Sequence, residues 1–441
     1  MSFTSLGLNS ALLHAVAEQG YAAPTAIQRA AIPAILQGRD VHAAAHTGSG
    51  KTAAFALPIL QYLSVATPSA RSPLALVLVP TRELAAQVGD VFRVFARSMA
   101  HPIKIVIASG GVSINPQMLA MRGSIHIVIA TPGRLLDLVD HNALQLSAIK
   151  TLVLDEADRM LDLGFADELN RILGLLPEKR QSLLFSATFP DAIKSLTAQL
   201  LHDPIVIRPE QHSESRPAIT QRAIHIDKDK RTPLLRHLLQ SEGWPRTLVF
   251  VATKYATEHV ADKLRRNHIN AAALHGELSQ GARTQALSAF KAGELQVLVA
   301  TDLAGRGIDI EHLPAVVNYD LPRSTDDYVH RIGRTARAGA SGIVVNFISA
   351  DCEPHFRLIE KRQQLRITRE QLAGFEPNSV VPMPIDRHGG IKGKRKSKKD
   401  KLREALAVAD QSVPLPDRPS AAPASSFIWP TKPTRNDDTS K

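Results

Sequence analysis

The 441-residue sequence contains one cysteine, Cys352, so no disulfide can form within the chain. With that single thiol, none of the 17 histidines can belong to a cysteine–histidine zinc motif. Apolar runs fall well short of the roughly 20 residues needed to cross a bilayer. The N-terminus, MSFTSLGLNS, lacks the basic start and apolar core of a signal peptide. These absences predict a cytoplasmic protein that does not contact a membrane.

Aromatic residues are also scarce, at 5% of the sequence, which argues against a surface that binds nucleic acid by stacking bases. Positive charge exceeds negative charge by 11, and this excess favours a polyanionic partner. The segment from Arg387 to Arg403 holds nine lysines and arginines but one aspartate, so it carries +8 of the net +11. The rest of the chain is mildly basic, and binding there must depend on individually placed groups.

Short apolar runs alternate with helix-length amphipathic stretches, a pattern typical of α/β domains with parallel sheets. Since the runs are nearly continuous, we expect strands that are buried on both faces. The pattern occurs twice and predicts two similar, doubly wound domains at 1–208 and 221–374, joined by a polar linker at 209–220. The composition of 375–441, rich in proline, lysine, serine and alanine, predicts a disordered basic tail. The expected strands are 41–45, 74–79, 103–108, 125–130, 151–154 and 182–185 in the first half, and 247–251, 271–274, 297–300, 315–318 and 343–347 in the second.

A glycine-rich loop, AHTGSGKT at 45–52, follows one predicted strand and opens a predicted helix. Its glycines allow backbone N–H groups to approach phosphate oxygens, and the helix N-terminus adds a favourable dipole. Lys51 would contact the β- and γ-phosphates of a nucleotide, and the Thr52 hydroxyl would bind Mg²⁺. The alternative, a tight turn without a ligand, is disfavoured by the strand–loop–helix context. The candidate phosphate-binding residues are Thr47, Gly48, Ser49, Gly50, Lys51 and Thr52.

Two adjacent carboxylates end another apolar run, TLVLDEAD at 151–158. An aspartate at the end of a buried strand can hold Mg²⁺ directly or through water, and the following side chain can orient or deprotonate an attacking water. We therefore assign Asp155 to the metal and Glu156 to the water. An isolated acidic cluster is usually a solvated loop, but the glycine-rich loop upstream favours a catalytic pair.

The letters DEAD at 155–158 name a helicase family, and the whole motif set from Phe3 to Gly342 resembles that family. The resemblance implies two tandem RecA-like domains that bind ATP with Mg²⁺ and single-stranded RNA, and that couple ATP hydrolysis to local opening of RNA duplexes. GYAAPTAIQ at 20–28 is similar to the family's adenine-reading motif. In this motif Phe3 would stack on the base, the Gln28 amide would donate to and accept from its edge, and Tyr21 belongs to the same expected site. The N-terminal wording, MSFTSLGL…AVAEQGY, is closest to the bacterial RhlE-like subgroup.

The resemblance also implies that the second half completes the nucleotide site. HRIGRTARAG at 330–339 is similar to the family's last motif, in which Arg334 and Arg337 would be arginine fingers that bind the transferred phosphoryl group. A basic surface helix is the alternative. ATDLAGRGIDI at 300–310 would place Asp309 near the ribose of ATP. The expected coupling residues, from the DEAD and SAT segments and the last motif, are Asp158, Ser186, Thr188 and His330.

Short polar segments follow several predicted strands and resemble the family's RNA-backbone contacts. Hydroxyl, guanidinium and exposed glycine amide groups can bind phosphates and ribose without reading bases. Each alone is more often a strand-end cap or a surface ion pair, but their recurrence at strand C-termini, where α/β proteins bind ligands, favours an RNA track. The candidates are Thr81, Arg82, Gly110, Gly111, Thr131 and Arg134 in the first half, and Arg283 and Thr301 in the second, together with the segments 251–254 and 280–283.

Two other functions are weaker alternatives. A processive DNA translocase of the same superfamily is disfavoured by the adenine-reading motif, the DEAD letters and the absence of large inserted domains. A non-catalytic RNA-binding scaffold is disfavoured because Lys51, Glu156, Arg334 and Arg337 are all present. The basic segment 387–403 is either a non-specific RNA anchor or a solubilising tail. The bacterial resemblance implies work on ribosomal precursors or in an RNA-decay complex, and the sequence does not choose between them.

Overall fold

Two seven-stranded sheets divide the chain into an N-terminal lobe (residues 2–208) and a C-terminal lobe (residues 219–377). The computed structural model describes residues 2–44, 48–66, 72–186, 191–208, 219–305, 313–335 and 341–377. Four predicted site residues, Thr47, Thr188, Asp309 and Arg337, and the basic segment 387–403 lie outside the described residues. Within the described ranges, no helix has both the length and the hydropathy required to cross a bilayer.

The N-terminal sheet consists of β1 (Val41–Ala44), β2 (Ala75–Leu78), β3 (Ile105–Ala108), β4 (Ile127–Ala130), β5 (Thr151–Asp155), β6 (Gln181–Ser186) and β7 (Ile205–Ile207). Its paired strands are all parallel, in the order β3-β4-β2-β5-β6-β1-β7. The six strands predicted for this half are confirmed, with ends that agree within two residues. The edge strand β7 was missed because a run of three apolar residues is too short to stand out.

Both faces of this sheet are buried. Val77 of β2 belongs to one apolar cluster, whereas its neighbours Leu76 and Leu78 belong to another. Since successive side chains of a strand point to opposite faces, the two clusters lie on the two sides of the sheet, as the nearly continuous apolar runs predict. The helices of this lobe are α1 (Ser10–Glu18), α2 (Ala26–Leu36), α3 (Lys51–Leu63), α4 (Arg82–Ala96), α5 (Ile114–Ala120), α6 (Pro132–Asp140), α7 (Ala157–Asp162), α8 (Ala166–Leu175) and α9 (Asp191–Leu200).

The C-terminal sheet consists of β8 (Ile219–His225), β9 (Thr247–Val251), β10 (Ala271–Leu274), β11 (Val297–Thr301), β12 (Ala315–Asn318), β13 (Gly342–Ile348) and β14 (Arg369–Glu370). Its order, β10-β11-β9-β12-β13-β8-β14, repeats the first sheet strand for strand, and its paired strands are parallel. Its helices are α10 (Arg231–Ser241), α11 (Lys254–Arg265), α12 (Gln280–Lys291), α13 (Asp302–Gly305), α14 (Thr325–Ile332) and α15 (Glu353–Gln363). The prediction of two similar, doubly wound, RecA-like domains is confirmed.

Two predicted boundaries of the C-terminal lobe are wrong. Ile219 and Thr220, placed in the linker by composition, pair with β13 as the first residues of β8. The strand ITQRAIH is half polar, so its start carries no apolar signal. At the other end, Phe375 was expected to begin the tail, but its ring packs against the C-terminal core and lies 5.4 Å from the His237 ring.

Equivalent strands of the two lobes end in the same local geometry. Thr81, after β2, has φ −134° and ψ 156°, and its hydroxyl accepts a hydrogen bond from the Leu84 N–H to cap α4. Thr253, after β9, has φ −135° and ψ 154°, and caps α11 through the Ala256 N–H in the same way. Because β2 and β9 are the third strands of identically ordered sheets, the residues that follow these caps occupy equivalent positions at the carboxyl edges of the two sheets.

Candidate functional site

The glycine-rich loop leads from β1 into α3 at the carboxyl edge of the N-terminal sheet. Gly48 and Gly50 have φ of 76° and 86°, in the left-handed region that favours glycine. A Cβ built on Gly50 would lie 2.5 Å from Gln28 Nε2, so space as well as backbone conformation excludes a side chain there. Ser49 lies between these glycines, and Thr52 is half-buried in the first turn of α3.

Gln28 holds this loop in place. Its Oε1 accepts a hydrogen bond from the Thr25 N–H at 2.9 Å, and the Thr25 hydroxyl accepts from the Gln28 N–H at 3.4 Å, which forms a capping box at the start of α2. Its Nε2 donates to the Gly50 carbonyl at 3.1 Å. The Gln28 side chain is 2% exposed, and one N–H and one oxygen lone pair are left for the predicted contact with adenine. This structural use of Gln28 was not foreseen from the sequence.

Phe3, predicted to stack on the base, and Tyr21, predicted for the same site, lie next to each other. The ring centroids of Phe3 and Tyr21 are 6.3 Å apart, and Tyr21 meets Phe95 edge-on at 6.0 Å. Phe3 is 6% exposed and belongs to the core cluster, whereas Tyr21 is 39% exposed. Tyr21 is therefore the more exposed of the two rings, whereas Phe3, which was predicted to stack on the base, packs in the core.

Lys51 and the two DEAD carboxylates form a buried charged group. Lys51 Nζ lies 2.7 Å from Asp155 Oδ1 and 3.5 Å from Glu156 Oε1. The side chains of all three are at most 6% exposed. Burial alone would lower the pKa of Lys51, but the charges of Asp155 and Glu156 outweigh it, so the pKa of Lys51 is raised and the ammonium form is held. The structure thus brings together the predicted phosphate-binding lysine, metal ligand and catalytic carboxylate.

Charges from both lobes act on Glu156. Burial alone would raise the pKa of Glu156, but Lys51 and Arg159 of the N-terminal lobe, together with Arg334 and His330 of the C-terminal lobe, lower it to about 2. Glu156 is therefore ionised at neutral pH. Arg334, predicted from the last motif to bind the transferred phosphoryl group, thus lies close enough to Glu156 for its charge to act on that carboxylate.

The Asp155 carboxylate has an oxygen available for a hard cation. Asp155 is completely buried, and its Oδ2 receives no hydrogen bond within the described part of the chain. A buried carboxylate oxygen without a donor is costly, and carboxylate, hydroxyl and phosphate oxygens are the groups that Mg²⁺ prefers. Together with the hydroxyl of Thr52, the residue after Lys51, this carboxylate supplies the kinds of oxygen that fit a magnesium ion.

Arg331, which the sequence analysis passed over, holds the last motif in place. Its Nε and Nη2 donate to the two Asp302 oxygens at 2.6 and 2.8 Å, and its Nη1 donates to Asn318 Oδ1 at 2.8 Å. The guanidinium lies over the Phe250 ring and is 1% exposed. Arg331 thus ties α14 to the ends of three strands, and this bidentate geometry positions its neighbours His330 and Arg334. In HRIGRTARAG no letter distinguishes Arg331 from the arginines that are predicted to be catalytic.

The predicted RNA contacts of the N-terminal lobe cluster at the carboxyl edge of its sheet. The Arg82 guanidinium lies over Gly111, where a Cβ would be 1.7 Å from its Nη1, and Gly111 has φ 76°. Gly110 is half-buried beside it. Arg134 donates to the Val112 carbonyl at 2.9 Å. Two hydroxyls, those of Thr81 and Thr131, stand at the N-caps of α4 and α6, and of these Thr131 makes no side-chain capping bond.

Arg283 contacts the opposite lobe. Its Nη2 lies 2.6 Å from Glu83 Oε1 of the N-terminal lobe, and its Nη1 donates to the His275 carbonyl at 2.9 Å. Both side chains of the pair are at most 7% exposed. Beside it, Arg82 donates to Gln280 Oε1 at 3.5 Å. Arg283 was predicted to bind RNA, and in this structure its guanidinium is engaged with Glu83 and connects the two lobes.

The remaining predicted residues have separate positions. Thr301 is half-buried at the end of β11. Ser186, at the end of β6, is completely buried, and Asp158, in the first turn of α7, is 5% exposed and accepts from the Arg159 N–H at 3.0 Å. Thr301, Ser186 and Asp158 therefore lie at the carboxyl edges of the two sheets.

Two family models match the chain. Residues 25–196 match the model described as DEAD/DEAH box helicase, and residues 229–339 match the model described as helicase conserved C-terminal domain. The two matches divide between the two lobes and include the glycine-rich loop, the DEAD segment and the last motif.

Curated relatives are similar over both lobes. The chain is 42% identical over 375 residues to a protein of Mycobacterium tuberculosis named ATP-dependent RNA helicase DeaD, covering 85% of this chain and 66% of that protein. The protein of the same name from Escherichia coli is 42% identical over 375 residues, covering 85% and 59%. The chain thus spans about three fifths to two thirds of the length of the curated relatives it matches.

Two solved structures share the fold. The chain superposes with a TM-score of 0.75 on S. cerevisiae Dbp5 bound to RNA and ADP BeF3, with 31% identity, covering 84% of this chain and 95% of that one. It superposes with a TM-score of 0.73 on Mss116p (NTE and C-tail double deletion) bound to ssRNA and AMP-PNP, with 28% identity, covering 84% and 80%.

Proposed function

The chain belongs to the DEAD/DEAH box helicase family, and from that premise we propose that it is an ATP-dependent RNA helicase. It binds single-stranded RNA through the backbone, hydrolyses ATP to ADP and phosphate in response, and locally opens short RNA duplexes or remodels RNA–protein complexes. The observation that carries this proposal is the buried charged group of Lys51, Asp155, Glu156 and Arg159, on which the charges of Arg334 and His330 from the C-terminal lobe also act.

ATP occupies the site between the glycine-rich loop and the DEAD carboxylates. The backbone amides of Gly48, Ser49 and Gly50 face the phosphates, and Lys51 moves from Asp155 toward the β- and γ-phosphates. Tyr21 and Gln28 bind the adenine. The nucleotides in the Dbp5 and Mss116p structures support an adenine nucleotide as the ligand.

Mg²⁺ accompanies the nucleotide. Asp155 Oδ2, buried and without a donor in the described ranges, and the Thr52 hydroxyl would hold it. The bound ion would neutralise charge on the β- and γ-phosphates.

Hydrolysis needs groups from both lobes. Glu156 orients the attacking water and accepts its proton, while Lys51 binds the phosphate oxygens. The guanidinium groups of Arg334 and Arg337 stabilise the charge that develops on the transferred phosphoryl group. Since these arginines belong to the C-terminal lobe, turnover depends on the lobes being held together.

RNA holds the lobes together. Arg82, Gly111 and Arg134 form a backbone-binding edge on the N-terminal lobe, and Thr301 and the segment 251–254 continue it on the C-terminal lobe. The buried Glu83–Arg283 pair closes the gap between these two halves of the track. A strand bound across both lobes is bent, which is incompatible with a continuous A-form duplex, so short duplexes open locally and phosphate release frees the strand.

More specific proposals rest on the sequence. The N-terminal wording MSFTSLGL…AVAEQGY places the chain in the RhlE-like subgroup, and bacterial members of that kind imply ribosomal precursors or an RNA-decay complex as partners. A cytoplasmic location follows from these partners. The basic segment 387–403 serves as a non-specific RNA anchor, because its charge is concentrated and phosphate binding needs no sequence code.

A phosphate-release assay on the full chain tests the proposed activity. ATP turnover is measured without nucleic acid, with single-stranded RNA, and with DNA of the same sequence, using Lys51→Ala as the inactive control. The proposal expects stimulation by RNA and little by DNA. Equal stimulation by DNA would indicate a DNA translocase, and RNA binding without any turnover would indicate a scaffold.

A further inference from the structure

Helix α11 carries an unusually exposed aromatic side chain. Tyr255 is 74% exposed, more than any other described tyrosine, phenylalanine or tryptophan. Its ring stacks on His259, with centroids 5.7 Å apart and an interplanar angle of 14°. Residues four apart lie on the same face of a helix, so His259 covers one side of the Tyr255 ring and helps to fix its rotamer. The near-parallel pair of rings forms an exposed aromatic surface on the first turns of α11.

This surface stands at the edge of the C-terminal sheet where the RNA track is proposed. Tyr255 is the second residue after the Thr253 cap, just as Glu83 is the second residue after the Thr81 cap in the N-terminal lobe. Lys254 and Arg82 are likewise equivalent. In the N-terminal lobe these two positions supply a track arginine and the carboxylate that reaches the opposite lobe. In the C-terminal lobe they supply a lysine and an exposed ring.

A series of contacts connects α11 to the opposite lobe. Glu258, which lies between the two rings in sequence, accepts a hydrogen bond from His275 Nε2 at 2.9 Å. The carbonyl of His275 accepts from Arg283, and Arg283 pairs with Glu83. The first turns of α11 are therefore fastened to the residues that join the lobes.

We propose that Tyr255, backed by His259, stacks on one base of the bound RNA strand. This inference rests on the proposed function and adds a base contact to a site otherwise built from backbone contacts. A nucleobase needs a single open π face, and Tyr255 offers one. An apolar protein partner would need a contiguous apolar patch, whereas the residues around the ring on α11 include Lys254, Glu258, Asp262 and Lys263.

A single stacked base is compatible with the small number of aromatic residues in the sequence. An aromatic content of 5% argues against a series of stacked bases, but one ring at the correct edge suffices for one base. Stacking reads no hydrogen-bonding edge, so the contact adds affinity without sequence preference.

Equilibrium binding of the full chain to single-stranded RNA on the order of 10 nucleotides long, with a non-hydrolysable ATP analogue, tests this contact. Tyr255→Ala is expected to weaken binding about tenfold, because one base–aromatic stack contributes roughly 1–3 kcal/mol. Tyr255→Phe keeps the ring and is expected to bind like wild type. Tyr62→Ala is the matched control, since Tyr62 is 45% exposed and lines a cavity of about 360 Å³ beside the N-terminal ends of β5 and β6.

Single abasic substitutions along the RNA separate a base contact from a structural effect. Wild type should lose about tenfold in affinity when the stacked base is removed, and Tyr255→Ala should show no further loss at that position. Wild-type affinity of Tyr255→Ala, or an abasic penalty that is undiminished in Tyr255→Ala, would overturn the proposal. If the wild-type chain binds no RNA at all, the proposed function itself fails, and the base contact fails with it.

Discussion

Glu156 combines a strained backbone with a buried charge. Its φ of 54° and ψ of 51° lie in the left-handed region, which costs a residue with a side chain roughly 1–2 kcal/mol. Among the described non-glycine residues with positive φ, the other four are exposed, whereas Glu156 is 5% exposed. This turn stands where both carboxylates approach Lys51 Nζ, Asp155 at 2.7 Å and Glu156 at 3.5 Å, and backbone strain of this kind clusters at functional sites.

Replacement of Glu156 by glutamine should stop turnover while keeping nucleotide binding. The amide retains the shape of the side chain but cannot accept the proton of the attacking water, so kcat should fall about 100-fold or more. Phosphate release at saturating RNA and equilibrium binding of an ATP analogue measure the two effects. The exposed Glu178 provides the control variant Glu178→Gln, and near-normal turnover by Glu156→Gln would contradict the assigned role.

For individual residues, the sequence predicts the site correctly where the chemistry allows only one or two residue types. Lys51, Asp155, Glu156 and Arg334 were predicted from motif letters, and the structure brings the first three into contact and the fourth within electrostatic range of Glu156. Gln28 was predicted only as a reader of adenine, since nothing local shows that its amide also binds the Gly50 carbonyl.

In both lobes a strand is followed by a threonine cap and a helix, and the residues after the cap differ in their tasks. The caps of α4 and α11 have the same backbone conformation, yet they are followed by Arg82–Glu83 in one lobe and by Lys254–Tyr255 in the other. Helix α4 thereby contributes the carboxylate of the buried pair with Arg283. The contact spans 200 positions of the sequence, so no local pattern could have predicted it.

Loss of the Glu83 charge should weaken the activation of ATP turnover by RNA. Glu83→Gln leaves the Arg283 charge buried without its partner when the lobes are joined, which costs about 3 kcal/mol. The RNA concentration that gives half-maximal ATPase should therefore rise by on the order of 100-fold. The double variant Glu83→Gln, Arg283→Gln should recover part of this loss, because no uncompensated charge is left.

An exposed ion pair supplies the control for this cycle. Asp140 and Arg171 contact each other at the surface of the N-terminal lobe, with side chains 45% and 54% exposed, and pairs of this kind contribute little. Asp140→Asn should therefore leave RNA activation unchanged. Strictly additive effects of the Glu83 and Arg283 substitutions would show that the two residues do not act as a pair.

Strand β14 and helix α15 should give the C-terminal lobe a distinct acid sensitivity. Arg369 donates to Glu360 at 2.7 and 2.8 Å and to Glu353 at 3.1 Å. Burial would raise the pKa values of Glu353 and Glu360, but the bonds from Arg369 outweigh it and both pKa values are lowered. Carboxylates with a lowered pKa stabilise the fold above their unfolded pKa, about 4.3 for glutamate, and lose that contribution as pH falls through the folded value.

Urea unfolding of wild type and Arg369→Met between neutral pH and about pH 3 measures this contribution. Wild type should be more stable by about 1–3 kcal/mol near neutral pH, and the difference should shrink as pH falls below the usual glutamate pKa of about 4.3. A difference that does not change with pH would show that packing of Arg369 on the Phe356 ring, at 4.7 Å, supplies the effect instead.

For the whole molecule, the architecture was predictable because buried parallel strands leave a strong signal. Runs such as 74–79 and 297–300 are apolar throughout, and both became central strands with two buried faces. The edge strands β7 and β14 were not predictable. β7 has only three residues, and β14 consists of the charged residues Arg369 and Glu370, so neither gives a clear apolar run. The buried contact between the lobes is the ion pair of Glu83 and Arg283. An ion pair leaves no apolar pattern in the sequence, so this contact too required the structure.

Truncation after Pro377 tests the proposed RNA anchor at the scale of the whole chain. The cut keeps Phe375, which packs on the C-terminal core, and removes the nine lysines and arginines of 387–403. RNA affinity should fall, and the slope of log K against log salt should become shallower by about 0.7 for each lost phosphate contact. Maximal ATP turnover at saturating RNA should persist. An unchanged salt slope would favour the solubilising alternative.

The central claim is that one triphosphate is held by groups from both lobes, which RNA brings together. The most direct measurement is RNA-stimulated phosphate release by Arg334→Lys and Arg334→Gln at saturating ATP and RNA, with circular dichroism to confirm folding. We expect kcat to fall about 10³-fold, because an arginine finger contributes at least this much to phosphoryl transfer. Turnover equal to wild type in either variant would contradict it.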